Sequence, residues 1–220
     1  MRSARLSARP AAPSQEGLAP GTHPLGLGNR RDALLVVPPA AAPGAPLVLG
    51  LHGAGGTGRQ MSSLLAGEGA RRGMLVLAPD SRGTTWDVIR GGYGPDVTFL
   101  DEALTAVFAR FAVGPVAVSG FSDGASYALS IGLANGDLFG HVLAWSPGFM
   151  APPHLTGRPR VFVSHGIHDR VLPIDGCSRR LVPVLRADGY DVRYDEFDGG
   201  HVVPPDVLAA SLDWFGAGHH

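Results

Sequence analysis

A serine flanked by glycines is the residue in this chain best suited to nucleophilic chemistry. Ser122 lies between Gly120 and Gly124, after the apolar run 116–118 and before a stretch that favours a helix. Glycines two positions before and after a serine let the backbone turn sharply, which leaves the hydroxyl exposed above the edge of a sheet. The helix that follows would direct its free N–H groups at this point. The pattern predicts a nucleophile, although the 32 glycines of the chain raise the frequency of chance matches.

A general base and an acid for this serine are expected at the ends of later strands. A serine hydroxyl is a poor nucleophile at neutral pH unless a base takes its proton and an acid orients the base. In an open parallel sheet the working groups gather at the carboxyl ends of the strands. The predicted strands 160–165 and 191–197 run into Asp169 and His201 respectively. We therefore predict that Ser122, His201 and Asp169 act as nucleophile, base and acid.

Two other aspartates compete for the role of the acid, and both are weaker candidates. Asp175 has the position of a helix cap, and Asp198 is very close to His201 in the chain.

A metal site at His165 and His168 is disfavoured, because the pair lies at a strand exit rather than on one helix face. No metal ion is therefore expected.

The oxyanion of a tetrahedral intermediate needs N–H donors, each worth roughly 3 kcal/mol of barrier. The N–H of Asp123, directly after the nucleophile, is one candidate. The second is expected from the glycine-rich loop 52–56, where small residues let the backbone approach a substrate. Ala54 is the first choice for this donor, and Gly55 is the second.

Alternating strands and helices must position these groups. Apolar patterns predict strands at 23–27, 32–37, 47–51, 74–78, 115–119, 141–145, 160–165 and 191–197, and helices at about 60–72, 97–111, 123–134, 175–188 and 204–215. Asp96 has the position of a cap for the second helix. A hairpin followed by this alternation predicts an α/β fold, a mostly parallel twisted sheet covered by helices on both sides. The catalytic domain should span 23–220, after a flexible segment at 1–22 that is rich in Pro, Ala, Ser and Gly.

The segment between two of these strands predicts an open site. Residues 146–159 are rich in proline and glycine and are too few for a helical cap domain. The residues predicted to line a substrate pocket lie on loops at the carboxyl side of the strands and are His52, Trp86, Tyr93, Phe149 and Met150. For the last four, ordinary packing within the loops is an equal alternative.

The composition is that of an ordinary globular protein. Hydrophobic residues make up 45% and charged residues 17% of the 220-residue chain, and the formal net charge is -1. This charge predicts no attraction for nucleic acid or an anionic membrane, and no apolar run approaches the roughly 20 residues of a membrane span. The N-terminus is basic without the apolar stretch of a secretory signal, and the single Cys177 agrees with a reducing compartment, so a cytoplasmic location is expected.

Four short motifs carry a resemblance to a known family. They are His52-Gly53-Ala54-Gly55-Gly56, Gly120-Phe121-Ser122-Asp123-Gly124, Asp169-Arg170-Val171-Leu172-Pro173 and Gly199-Gly200-His201. Together they resemble the predicted esterases of the phospholipase/carboxylesterase branch of the α/β-hydrolase superfamily, in which Ser, Asp and His follow one another in this order. The resemblance implies the α/β-hydrolase fold with an eight-stranded, mostly parallel sheet and no large cap domain. It also implies a triad of Ser122, His201 and Asp169 that hydrolyses small, soluble carboxylic esters without a cofactor.

One residue departs from the family pattern. Asp123 follows the nucleophile where relatives often have Gln or Gly, which bears on the reactivity of Ser122. Dienelactone hydrolases form a neighbouring branch, but their nucleophile is Cys, whereas this chain has Ser.

Two other functions compete with this interpretation. Gly53-x-Gly55-x-x-Gly58 follows a buried strand and precedes a helix, and Asp80 ends the next strand, which is the pattern of an NAD(P)-binding oxidoreductase. That hypothesis leaves Ser122 and the later acid and base unexplained. The other alternative is a binding module that retains the hydrolase fold without catalysis, since a fold does not guarantee activity.

Overall fold

Eight strands and five helices make up the computed structural model, which describes residues 4–28 and 30–217. The strands are β1 (Gly21–Pro24), β2 (Ala33–Val37), β3 (Ala45–Leu51), β4 (Leu75–Pro79), β5 (Val113–Phe121), β6 (His141–Trp145), β7 (Arg160–Gly166) and β8 (Val192–Phe197). The helices are α1 (Gly58–Arg71), α2 (Pro95–Phe108), α3 (Asp123–Ala134), α4 (Ser178–Ala187) and α5 (Pro205–Gly216). Short 3-10 turns occupy Asp87–Arg90 and Ile174–Gly176. No helix in these described ranges combines the length and apolar character needed to cross a bilayer.

All eight strands form one sheet in the order β1-β2-β4-β3-β5-β6-β7-β8. Strand β2 is antiparallel to both β1 and β4, and the remaining neighbours are parallel. After β3 the chain moves outward to β4, and it then returns to the opposite side of β3 to form β5. Ligands of open parallel sheets bind where the strand order reverses in this way. The carboxyl ends of β3 and β5 are therefore the expected place for a site.

The two faces of the sheet bury separate apolar clusters. Successive side chains of a strand point to opposite faces, and in β3 Leu47 and Leu49 join one cluster while Val48 joins the other. Helices α2, α3 and α4 cover the first face, and α1 and α5 cover the second. A strand buried on both faces is a continuous apolar run, which is the pattern found in the sequence.

The predicted alternation is confirmed, and the differences lie at element ends. The first strand, predicted at 23–27, is β1 and ends at Pro24. Asp96 is not the cap of α2, because Gly94 has that position and Pro95 begins the helix. The Asp96 carboxylate is buried and accepts the N–H groups of Arg82 and Asp87, at 2.5 and 2.7 Å. It therefore organises the loop before the helix.

The N-terminal segment differs from the expected flexible lead-in. Residues 1–3 lie outside the described residues, and residues 4–20 contain no helix or strand. Ala4 and Leu6 are nevertheless fully buried, and Leu6 belongs to the cluster on the first face of the sheet. Burial of alternate side chains shows that this segment packs along the domain, which the low-complexity composition did not indicate.

Polar contacts with α2 and the end of α3 hold the same segment in place. Asn135 accepts the N–H of Leu6 at 2.9 Å and donates to the carbonyl of Ala4 at 2.9 Å. Asp101 accepts the N–H groups of Ser7 and Ala8 at 2.7 and 2.8 Å. Backbone groups of this segment are thus satisfied by side chains instead of a strand partner.

Replacement of Leu6 tests this anchoring. Leu6→Ala removes a fully buried side chain and should lower the free energy of unfolding by about 2–3 kcal/mol in a urea titration. Gln15→Ala, at an exposed position of the same segment, is the control and should change the free energy of unfolding by less than about 0.5 kcal/mol. Equal stability of both variants and the unmodified protein would support a flexible segment instead.

Candidate active site

Ser122 lies at the sharp turn that joins β5 to α3. Its backbone has φ 58° and ψ -121°, a conformation that non-glycine residues rarely adopt. Two hydrogen bonds hold the backbone in this strained conformation. The Ser122 N–H donates to the carbonyl of Trp145 at 2.9 Å, and the Ser122 carbonyl accepts the N–H of Ala125 at 2.9 Å. Backbone strain of this kind is common at sites of function.

The two glycines beside Ser122 are required by close backbone approaches. A Cβ atom at Gly120 would overlap the carbonyl of Gly124 across the turn. A Cβ atom at Gly124 would overlap the carbonyls of Leu51 and His52, which end β3 and begin its loop. The glycine spacing seen in the sequence therefore reflects packing of the turn against itself and against the neighbouring strand.

His201 brings its imidazole to the serine from the loop after β8. Its Nε2 lies 2.8 Å from Ser122 Oγ, and its Nδ1 lies 2.6 Å from Asp169 Oδ2. The ring also packs against the ring of Phe121, with 4.7 Å between centroids. The structure thus brings Ser122, His201 and Asp169 together in one hydrogen-bonded chain.

The Asp169 carboxylate is held by the turn that follows it. Its side chain is fully buried, and Oδ1 accepts the N–H groups of Val171 and Leu172, both at 2.8 Å. Burial opposes ionisation, but these two N–H groups and His201 outweigh it and lower the pKa of Asp169 below its ordinary value. A carboxylate with a lowered pKa is ionised at neutral pH, so it can accept the Nδ1–H of the base.

The two weaker acid candidates face other partners. Asp198 lies 3.0 Å from Nε2 of His168, and its side chain is 87% exposed. Asp175 pairs with Arg179 at 2.8 Å. Within the described residues, Asp169 is therefore the carboxylate that contacts His201.

The loop after β3 is held beside the nucleophile by a buried histidine. Nε2 of His52 accepts the N–H of Ser81 at 3.0 Å, so its proton is on Nδ1, which donates to the carbonyl of Gly53 at 2.7 Å. Burial lowers the pKa of His52 and keeps the ring neutral. A Cβ atom at Gly53 would lie 3.4 Å from Ser122 Cβ, so this loop passes directly over the serine.

The geometry of the loop distinguishes Ala54 from Gly55, the two candidates for the oxyanion donor from this loop. The carbonyl of Gly53 points toward His52 and Gly56, and in a trans peptide the N–H of Ala54 points the opposite way. Among the described residues neither this N–H nor that of Asp123 has a hydrogen-bond acceptor. The expectation for Gly55 is wrong, because its N–H donates to the carbonyl of Thr84 at 2.7 Å.

Thr85 is a contact of the site that sequence reasoning missed. Its hydroxyl donates to Oδ2 of Asp123 at 2.6 Å, which holds the unusual acidic side chain after the nucleophile. The loop that carries Thr85 shows no motif, so no sequence signal marked this residue.

A cavity of about 270 Å³ lies between the loop after β3 and helix α1, and Phe121, the residue before Ser122, forms part of its wall. Its lining is mostly apolar and consists of His52, Gly53, Ala54, Gly56, Gln60, Met61, Leu64 and Phe121. Of the predicted pocket residues it includes only His52. The sequence offered one signal for this apolar wall, which is that Phe121 directly precedes Ser122 at the predicted turn.

The other four predicted pocket residues lie elsewhere. Trp86 is wrong as a pocket residue, because it is fully buried, stacks on Tyr127 and donates its Nε1–H to the carbonyl of His52 at 2.8 Å. Tyr93 lines a separate cavity of about 400 Å³, and burial raises its pKa to about 12. Phe149 and Met150 are partly buried, and neither lines the cavity beside the serine.

The dinucleotide pattern of this loop serves a different purpose in the structure. The Asp80 carboxylate, which would have to bind a ribose, accepts the N–H of Gly58 at 2.7 Å at the start of α1. A Cβ atom at Gly58 would overlap the carbonyl of Ala78, so this glycine permits close packing of α1 on β4. In the part of the chain that the structure describes, no group of three or more His, Cys, Asp or Glu side chains is arranged to hold a metal ion.

Several solved structures with this architecture are described as esterases. Esterase PE8 shares 24% identity at a TM-score of 0.67, over 83% of this chain and 96% of that chain. The Bacillus cereus carboxylesterase shares 17% identity at a TM-score of 0.67, over 86% and 95% of the two chains. This chain has the α/β-hydrolase fold.

A third neighbour, a CE1 ferulic acid esterase from Anaeromyces mucronatus, shares 17% identity at a TM-score of 0.62, over 90% of each chain. Neither family models nor curated protein sequences give a match to this chain. The α/β-hydrolase fold predicted from the motifs is confirmed, including its eight-stranded sheet and the lack of a large cap over the described site.

Proposed function

We propose that this α/β-hydrolase cleaves carboxylic esters of small, soluble substrates through an acyl-enzyme intermediate. The observation that carries the proposal is the hydrogen-bonded chain from Ser122 Oγ through His201 to the buried Asp169. The esterases among the structural neighbours support the hydrolytic class. The proposed reaction uses side chains and backbone of this chain and no cofactor.

In the proposed first half-reaction, Ser122 Oγ attacks the ester carbonyl while Nε2 of His201 takes its proton. The negative charge moves to the carbonyl oxygen, which in this proposal accepts the N–H groups of Ala54 and Asp123. Asp169 stabilises the imidazolium and does not itself take the proton. Collapse of the intermediate then expels the alcohol, which receives the proton from His201.

The second half-reaction repeats these roles with water as the nucleophile. His201 takes a proton from water, which attacks the acyl carbon, and it returns that proton to Ser122 Oγ as the acid is released. Each oxyanion donor contributes roughly 3–4 kcal/mol to barrier lowering. The neutral His52 ring has a positioning role: before any substrate reacts, it holds the peptide that presents the Ala54 N–H.

The first test replaces the nucleophile. Ser122→Ala should abolish labelling by a fluorophosphonate and lower kcat for a nitrophenyl ester by roughly 10⁴- to 10⁶-fold, because no acyl-enzyme can form. Ser63→Ala, at an exposed position of α1, is the matched control and should retain labelling and rate. Full activity of the Ser122→Ala enzyme would refute a serine mechanism at this residue.

The second test distinguishes the two aspartates near the base. Asp169→Asn retains the shape of the side chain but presents an amide that favours the wrong imidazole tautomer, so kcat should fall by roughly 10⁴-fold. Asp198→Asn should change kcat less than about threefold, since its exposed side chain faces His168. The measurement is steady-state hydrolysis of one ester by both variants, and the reverse ranking would identify Asp198 as the acid.

The third test concerns acyl-chain length. A long chain is stabilised by about 0.8 kcal/mol per CH₂ only where protein covers it, and the apolar cavity beside Ser122 holds about 270 Å³. We expect kcat/KM for nitrophenyl esters to be highest from acetate to butyrate, without a rise above the critical micelle concentration of a detergent. A maximum at palmitate would show a binding surface beyond this cavity.

Two variants make this test specific to the cavity. Leu64→Phe narrows it and should move the maximum toward acetate. Phe149→Ala, outside the cavity, should leave the chain-length profile unchanged. If only the Phe149 variant changes the profile, the acyl group binds at the loop after β6, as the sequence predicted.

A further inference from the structure

A second histidine lies next to the acid of the proposed triad. His165 is near the end of β7, and its side chain is fully buried. Its Nδ1 lies 2.7 Å from Oγ of Ser178, and its Nε2 lies 2.8 Å from the carbonyl of Leu172. Both ring nitrogens therefore have a partner.

The partners determine where the proton lies on this ring. A carbonyl can only accept, so Nε2 carries the hydrogen and donates it to Leu172. Nδ1 then accepts from the Ser178 hydroxyl. Burial lowers the pKa of His165, although the Leu172 carbonyl and Asp169 oppose this effect, and the ring is neutral.

The same Nε2 also lies beside the acid. It is 3.2 Å from Oδ2 of Asp169, which is the oxygen that receives Nδ1–H of His201. Leu172, whose carbonyl takes the His165 proton, donates its own N–H to Oδ1 of the same carboxylate. His165 thus contacts the acid directly and also holds the turn that binds the other carboxylate oxygen.

We propose that His165 is a positioning residue for the Asp169 carboxylate. This inference rests on the proposed function and deepens it. Its N–H fixes the turn at Leu172, which in turn donates to Oδ1, and its ring packs against Oδ2, so that the carboxylate keeps one orientation toward His201. The N–H of Leu172 at Oδ1 also limits how strongly the carboxylate attracts a proton onto the base.

Charged groups from the neighbouring elements face His165 as well. Glu196 of β8 pairs with His165 in the sheet register, and Arg179 of α4 neutralises it at 2.6 Å. Asp169 and His201 lie on the two loops at the site. Because Glu196 has its own ion-pair partner, changes at His165 should affect pH dependence chiefly through Asp169 and His201.

The experiment compares His165→Leu, which has no donor, with His165→Gln, whose amide can place an N–H close to the position of Nε2. With His165→Leu, kcat should fall roughly 10- to 100-fold while KM changes less than about threefold, by analogy with partners that orient metal ligands. The acid limb of the kcat/KM profile should move to higher pH, because loosening of the turn weakens the Leu172 N–H bond to Asp169, and a carboxylate with fewer donors favours the protonated base. His165→Gln should restore kcat to within about threefold.

A readout without substrate separates this inference from the proposed function. The proton between Nδ1 of His201 and Oδ2 of Asp169 should give a downfield ¹H resonance, and His165→Leu should shift or broaden it whether or not any ester is hydrolysed. If the folded His165→Leu variant keeps an unchanged resonance together with wild-type kcat and pH profile, the positioning role is overturned. A shifted resonance in an enzyme that cleaves no ester would instead overturn the proposed function alone.

Two more variants keep the test decisive. His168→Gln makes the same substitution at an exposed neighbour and should leave kcat, the pH profile and the resonance unchanged. If circular dichroism shows that His165→Leu does not fold, Ser178→Ala replaces it, because it removes only the hydroxyl that donates to Nδ1 of His165. Ser178→Ala should lower kcat by a smaller factor and shift the acid limb in the same direction, and a variant without either effect would count against the proposal.

Discussion

The close approach of the turn at Ser122 to the end of β3 is the constraint on which the site depends. Gly124 presses against the carbonyls of Leu51 and His52 with no room for a side chain. This contact places the start of α3 beside the loop that carries Ala54, so the proposed nucleophile and the two candidate N–H donors come from neighbouring strands. The strained backbone of Ser122 persists because the packing on both sides leaves it no relaxed alternative.

Two buried neutral histidines support the site in the same way from opposite sides. His52 holds the loop after β3, and His165 holds the turn after β7, each through an N–H that donates to a backbone carbonyl. Each ring is kept neutral by burial and accepts a hydrogen bond at its second nitrogen. A neutral imidazole with both nitrogens bonded is inexpensive to bury, and it fixes a loop that has no regular secondary structure.

Carboxylates organise the remaining loop near the site. Asp96 and Asp87 accept backbone N–H groups across the segment before α2, and Thr85 of this segment holds Asp123. Trp86 is thereby directed into the core, where it stacks on Tyr127. The loop thus supports the position after the nucleophile, while the apolar wall of the cavity comes from α1 and Phe121.

The sequence by itself determined the alternation of elements, the turn at Ser122 and the pairing of His201 with Asp169. These follow from local rules: apolar periodicity defines strands and helices, and functional groups follow the carboxyl ends of parallel strands. Only the tertiary structure decided that Leu6 is buried, that Gly55 donates to Thr84, that Trp86 belongs to the core and that His165 contacts the acid. Each of these depends on a partner far away in the chain or on the direction of a single N–H, and neither composition nor spacing contains that information.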